Sequence, residues 1–160
     1  MTQVPDVPDV PLHGLYGAVI LDHYRNPRHH GTLSAPDLMA EAVNPFCGDE
    51  VYLQLKLDAP GRVSEVGFHG QGCSISQASA SMMAAMMEGK TMQELATLSQ
   101  AFQDMMRGRP RVEEEEAGLG DLAALQVVRQ FPVRIKCALL AWSALDDGIQ
   151  AFYSKSRARS

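Results

Sequence analysis

The sequence predicts one α+β domain, a three-stranded antiparallel sheet packed against several α-helices. Two observations carry this. Glu50 to Leu57 alternates strictly, with Val51, Leu53, Leu55 and Leu57 on one side and Glu50, Tyr52, Gln54 and Lys56 on the other, the pattern of a half-buried strand. One segment with helical apolar spacing lies before the strand block and the others follow it.

Taken in order, Met1 to Val10 is rich in Pro and Asp, and residues 1–11 are expected to be a disordered tail. Leu12 to Tyr24 carries Leu12, Leu15, Tyr16, Val19 and Ile20 at helical spacing, and Asn26-Pro27 stops the helix. Arg28 to Asp37 reads as loop, and Met39 to Phe46 as a short strand. After the alternating strand, Ala59-Pro60-Gly61 turns the chain into a third strand over Arg62 to Phe68. A helix is expected from Ser74 to Glu88, and another from Met92 to Met106, opened by a Thr91/Glu94 capping box. Gly108 to Gly120, with Pro110 and Glu113 to Glu116, reads as a solvated loop. Asp121 is expected to cap a short helix reaching Gln130, and a last helix to run from Arg134 to about Tyr153. The domain thus spans 12–153, with 154–160 a frayed basic tail.

At 160 residues the chain is long enough for its own hydrophobic core. A formal net charge of -5 argues against broad nucleic-acid or anionic-membrane binding, since both need a positive field. No apolar run approaches the roughly 18 residues of a membrane span. The first residues lack the basic and apolar regions of a signal peptide. Three cysteines without an export signal favour metal binding or thiol chemistry over disulfides, and a cytoplasmic protein is expected.

Asn44-Pro45-Phe46-Cys47-Gly48-Asp49 is a tight exposed turn in which a thiol and a carboxylate stand two residues apart. Cys73 follows Gly70-Gln71-Gly72 at a helix start, where unpaired N–H groups and the helix dipole favour a thiolate. Cys137 is expected in the first turn of the last helix, between Arg134, Lys136 and the helix body, where both cations favour thiolate too. Taken singly, Cys73 and Cys137 each also have a packing reading, because free cysteine is often simply buried. Taken together with Asp49, the three thiols make four potential ligands. Zinc tolerates such mixed S/O coordination. A centre of three thiolates and one carboxylate on zinc carries a net charge of 2 - 4 = -2, which Arg134 and Lys136 would offset. No two cysteines form a CxxC pair, so spacing alone specifies little. His29-His30 reads as a pair of exposed loop histidines, His69 as a surface or supporting residue, and the Met82, Met83, Met86 and Met87 stripe as core.

Three stretches in order carry a resemblance. They are Asn44 to Asp49, Gly70 to Ser76 running into Ala78 to Met83, and Arg134-Ile135-Lys136-Cys137-Ala138. Together they resemble the U-type iron–sulfur assembly proteins, comprising the IscU scaffolds, the N-terminal part of NifU and the SufU sulfur-transfer proteins. The resemblance runs from about Leu12 to Tyr153. It implies the α+β fold with the cysteines and the aspartate clustered at one end, and Cys47, Asp49, Cys73 and Cys137 as metal ligands. Two departures favour the SufU branch. IscU-type scaffolds have a histidine before the third cysteine where this chain has Lys136, and the chain is longer than theirs around Gly108 to Gln130. The double proline of the IscU chaperone motif is reduced to Pro132 after Phe131.

The SufU resemblance implies a zinc-dependent sulfurtransferase. It would take persulfide sulfur from a SufS-like cysteine desulfurase onto Cys47, after a desulfurase histidine replaces Cys47 on the metal, and pass it to a SUF-type assembly scaffold. The IscU resemblance implies instead a scaffold that builds a transient 2Fe-2S cluster on the same four residues, with Cys137 as sulfur acceptor. A third expectation is a module whose zinc only stabilises the fold.

Overall fold

Two consecutive antiparallel pairings build the sheet, in the order β1 (Leu38–Asn44), β2 (Asp49–Leu57), β3 (Val63–Gln71). The structure, a computed structural model, describes residues 14–45, 48–109 and 118–158, and side chains from 17 to 155 within these. The remaining elements are α1 (Gly14–Arg25), α2 (Ser74–Ala85), α3 (Met92–Met106), a 3₁₀ helix (Gly120–Gln130) and α4 (Pro132–Ala158). No helix among the described residues is long and apolar enough to cross a membrane.

The alternation read in β2 sets the layering. Val51, Leu53 and Leu55 are fully buried, and the helices cover that face. Asn44 pairs with Asp49 and Leu38 with Leu55, so β1 runs back along the whole middle strand. The β2–β3 ladder shifts register between Lys56 and Leu57, beside the Pro-Gly turn. The third strand continues past Phe68 to Gln71, because Tyr52 still has His69 to pair with and Glu50 has Gln71.

The final helix crosses β1 closely. A Cβ at Gly148 would lie 2.9 Å from Leu38 Cδ2 and 3.0 Å from the Ala40 methyl, so the absence of a side chain there lets helix and sheet touch. Trp142, on the same helix, stacks on Phe102 of α3 with ring centroids 4.6 Å apart. Met82, Met83 and Met87 are buried and Met86 is partly so, in keeping with a core stripe. The Thr91/Glu94 capping box forms as expected.

Three sequence expectations require correction. The segment ending at Gln130 is a 3₁₀ helix without a side-chain cap. Asp121 does not cap it, because the helix begins at Gly120 and places Asp121 inside its first turn, where its Oδ2 lies 3.0 Å from His23 Nε2. The last helix begins at Pro132 rather than Arg134. Proline suits the first helical position, where no N–H donor is needed. The same helix continues through Ala158, beyond the boundary drawn at Tyr153. Most of the Gly108–Gly120 stretch lies outside the described residues, as does the tail over 1–11.

His23 ties three elements together. Its Nδ1 is 2.8 Å from Ser81 Oγ on α2, and Ser81 Oγ also accepts the Arg28 backbone N–H at 2.8 Å. His23 is 2% exposed, so this chain of bonds is sheltered from competing water. His23→Ala is expected to cost about 1–3 kcal/mol by leaving the Ser81 hydroxyl under-satisfied beside a new void. Urea unfolding measures this, and an unchanged midpoint would show the network to be idle.

Candidate metal centre

The alternation that buries β2 also places its first residue. Asp49 shares the inward face with Val51, Leu53 and Leu55 and is 2% exposed, which corrects the expectation of a carboxylate on an exposed turn. A carboxylate in that position needs compensation. It comes from the start of α2: the Cys73 backbone N–H donates to Asp49 Oδ1 at 3.1 Å, at the positive end of the helix dipole. Cys73 is the N-cap of α2, and its sulfur accepts the Ser76 backbone N–H at 3.5 Å.

Two glycines allow this approach. A Cβ at Gly70 would run into the Glu50 carbonyl oxygen, and one at Gly72 would sit 2.6 Å from Asp49 Oδ1 and 2.5 Å from Ser76 Oγ. The backbone therefore reaches the carboxylate only because both positions lack side chains. On the facing hairpin, Gly48 has φ 74°, a left-handed conformation that glycine adopts without strain. Its N–H closes the turn onto the Asn44 carbonyl at 2.9 Å.

Cys137 arrives from α4 and is buried. It is the sixth residue of that helix, so it stands in the second turn and not the first. Its thiol faces the Val133 carbonyl oxygen at 3.9 Å instead of free N–H groups. Arg134, about one turn earlier, brings Nη1 within 3.6 Å of Cys137 Sγ. Lys136 is exposed.

The donor atoms of Asp49, Cys73 and Cys137 all lie within 4.8 Å of one another. Cys73 Sγ is 3.7 Å from Asp49 Oδ2. The hydrogen bond donated by Cys137, aided by the Ser76 N–H, lowers the Cys73 thiol to about 7 against the opposing effects of burial and the Asp49 charge. Cys137 is pushed up, first by holding that bonded proton, then by burial and by repulsion from Cys73, with Arg134 pulling the other way. The thiolate is thus favoured at Cys73, at the N-terminus of α2, and opposed at the buried Cys137.

The set suits zinc. With Zn–S bonds of about 2.3 Å, the edges of a tetrahedron are roughly 3.8 Å, close to the observed sulfur–carboxylate separation. Two thiols and a carboxylate leave one corner open. The family resemblance implies Cys47 as a fourth ligand, and that residue lies outside the described residues, between Pro45 and Gly48. Among the other candidates, His29 lies 3.6 Å from Glu88 and His30 packs edge-on against Phe68, so the adjacent pair turns to different partners. His69 stacks on Tyr52 at 4.9 Å. Sequence reasoning passed over Ser76, which has one contact with the Cys73 sulfur through its backbone and another through its hydroxyl, at 3.8 Å. A serine three residues after an N-cap was the available signal.

Residues 15–138 match the family model described as the NifU-like N terminal domain. The chain is 46% identical over 138 residues to the zinc-dependent sulfurtransferase SufU of Bacillus subtilis (strain 168), covering 86% of this chain and 91% of that one. It is 40% identical over 139 residues to the iron–sulfur cluster assembly scaffold protein IscU of Streptococcus pyogenes serotype M1, covering 87% and 85%. Among solved structures, the N-terminal NifU-like protein of Brucella abortus superposes with a TM-score of 0.76 at 29% identity, over 88% of this chain and 96% of that one.

Proposed function

Because the chain belongs to the NifU-like N-terminal domain family of the IscU and SufU proteins, we propose that it is a zinc-dependent sulfur carrier of the SufU kind. It accepts persulfide sulfur from a cysteine desulfurase and hands it toward iron–sulfur cluster assembly in the cytoplasm. The observation that carries this reading is the convergence of Asp49, Cys73 and Cys137 within 4.8 Å, with Arg134 against the Cys137 sulfur.

Asp49, Cys73, Cys137 and Cys47 would hold the metal, and zinc bound there would keep the thiolates deprotonated and screened from oxidants. Cys73 caps α2 and Cys137 lies within α4, whereas Cys47 falls in sequence between β1 and β2, so Cys47 would be the thiol released for chemistry. Its thiolate attacks the outer sulfur of the desulfurase persulfide. A sulfur–sulfur bond forms to Cys47, the bond to the desulfurase breaks, and the electron pair leaves with the desulfurase thiolate. No net oxidation occurs, and a second exchange of the same type passes the sulfur to a SUF-type scaffold. Arg134 and Lys136 offset the negative charge of the thiolate-rich centre.

The second reading, a scaffold assembling a 2Fe-2S cluster on the same residues, draws on the IscU relatives. Thiolates are the usual ligands of such clusters. A lysine at position 136 favours the first reading, since an ammonium neither ligates nor shuttles protons as an imidazole does. The deciding experiment incubates the protein with a cysteine desulfurase and cysteine, alkylates the persulfides and maps them by mass spectrometry. Sulfur on Cys47 is the expected result. Sulfur on Cys137 with none on Cys47 moves the chain to the scaffold class.

A further inference from the structure

We infer that Ser79, with Trp142 behind it, is a positioning residue for the metal centre: its hydroxyl sets the register of α2 against α4 and hence Cys73 against Cys137. The inference rests on the metal-centre reading above and names a device within it. Cys73 caps α2, and Ser79 follows six residues later on that helix. Ser79 Oγ donates to the Ala138 carbonyl at 2.6 Å, and Ala138 is the residue next to Cys137. The indole Nε1–H of Trp142 in turn donates to Ser79 Oγ at 3.1 Å. The indole occupies a lone pair of the hydroxyl, which leaves the Ser79 proton directed at α4.

Burial makes this bond informative. Ser79, Ala138 and Trp142 are all fully buried, and a hydroxyl in such a place is costly unless bonded. The neighbouring Ala78, Ala80 and Ala141 are buried as well, so an alanine at position 79 would match its surroundings. Small side chains let two helices come close but interlock weakly along their axes. A slip of one residue displaces a helix by about 1.5 Å, whereas metal–ligand distances tolerate about 0.2 Å. One directional bond beside Cys137 removes that freedom.

The polar contact between α3 and α4 supplies the control. Ser99 is equally buried and donates to Asp146 Oδ1 at 2.7 Å, more than two turns of α4 beyond Cys137. The experiment measures the zinc dissociation constant of each variant by competition with a chromophoric chelator. Cobalt substitution reports tetrahedral geometry through its visible absorption, and melting of the metal-free proteins reports stability. Ser79→Ala is expected to weaken zinc about 10- to 100-fold, the range for residues that orient ligands, and to dim the cobalt bands. Ser99→Ala should lower the metal-free melting temperature comparably while leaving zinc affinity within about twofold, as separated sites behave independently. Trp142→Phe keeps the Ser79 hydroxyl and removes only its indole donor; it should weaken zinc in the same direction by less, and it serves if Ser79→Ala does not fold. Wild-type affinity in both Ser79→Ala and Trp142→Phe overturns the inference, as does an equal loss in Ser99→Ala. A wild-type protein that binds neither zinc nor cobalt overturns the metal-centre reading itself, and the two failures are told apart by that first titration.

Discussion

Stripping zinc from the protein with a strong chelator is expected to lower its melting temperature by about 8–16 °C. A ligand held at a thousand times its dissociation constant stabilises the folded state by about 4 kcal/mol, and a domain of this size moves roughly 2–4 °C per kcal/mol. The effect is large because the site joins separate parts of the fold. Asp49 opens β2, Cys73 caps α2 and Cys137 lies in α4, so one ion cross-links sheet and helices. Removal also leaves a buried carboxylate beside two thiols within 4.8 Å. Differential scanning calorimetry before and after chelation, with zinc added back, measures the shift. A melting temperature indifferent to chelator would mean that zinc does not sit among these residues.

Cys47→Ser is expected to abolish sulfur acceptance, lowering stimulation of the desulfurase on the order of 10³-fold, because a serine hydroxyl is essentially un-ionised near pH 7 where a free thiol is a few per cent thiolate. Metal should remain measurable in the variant, since Asp49, Cys73 and Cys137 still converge. That contrast separates the chemical role of Cys47 from a purely structural one. The check is alanine production by the desulfurase, with zinc content determined on the same samples. Undiminished stimulation by Cys47→Ser would assign the acceptor role to another thiol.

The sheet was legible because alternation is a local signal: Val51, Leu53 and Leu55 announced a buried face, and they have one. The helix starts were less so. Asp121 has the composition of an N-cap, but the helix already begins at Gly120, and the carboxylate meets His23, 98 residues away. His23 itself gave no warning, as a single histidine on an amphipathic helix carries no pattern. Cys137 lies two residues farther from its helix start than the sequence suggests, because Pro132 and not Arg134 is the first helical residue. The grouping of Asp49, Cys73 and Cys137 could not be read from spacing, since each comes from a different element. The motifs shared with a known family suggested it, and the donor atoms of these three lie within 4.8 Å of one another. Ser79 sat unnoticed in a run of serines and alanines.

The dispersal of the ligands along the chain has a consequence for biosynthesis. Cys73 and Cys137 are separated by 64 residues (137 - 73). At roughly 5–20 residues per second, the ribosome therefore releases the last ligand about 3–13 s after the second cysteine. Throughout that interval the nascent chain displays thiols with no finished cage to receive an ion. If zinc is held by these residues, metal capture would close the folding of this protein instead of nucleating it, and the early cysteines would need shielding until α4 has docked.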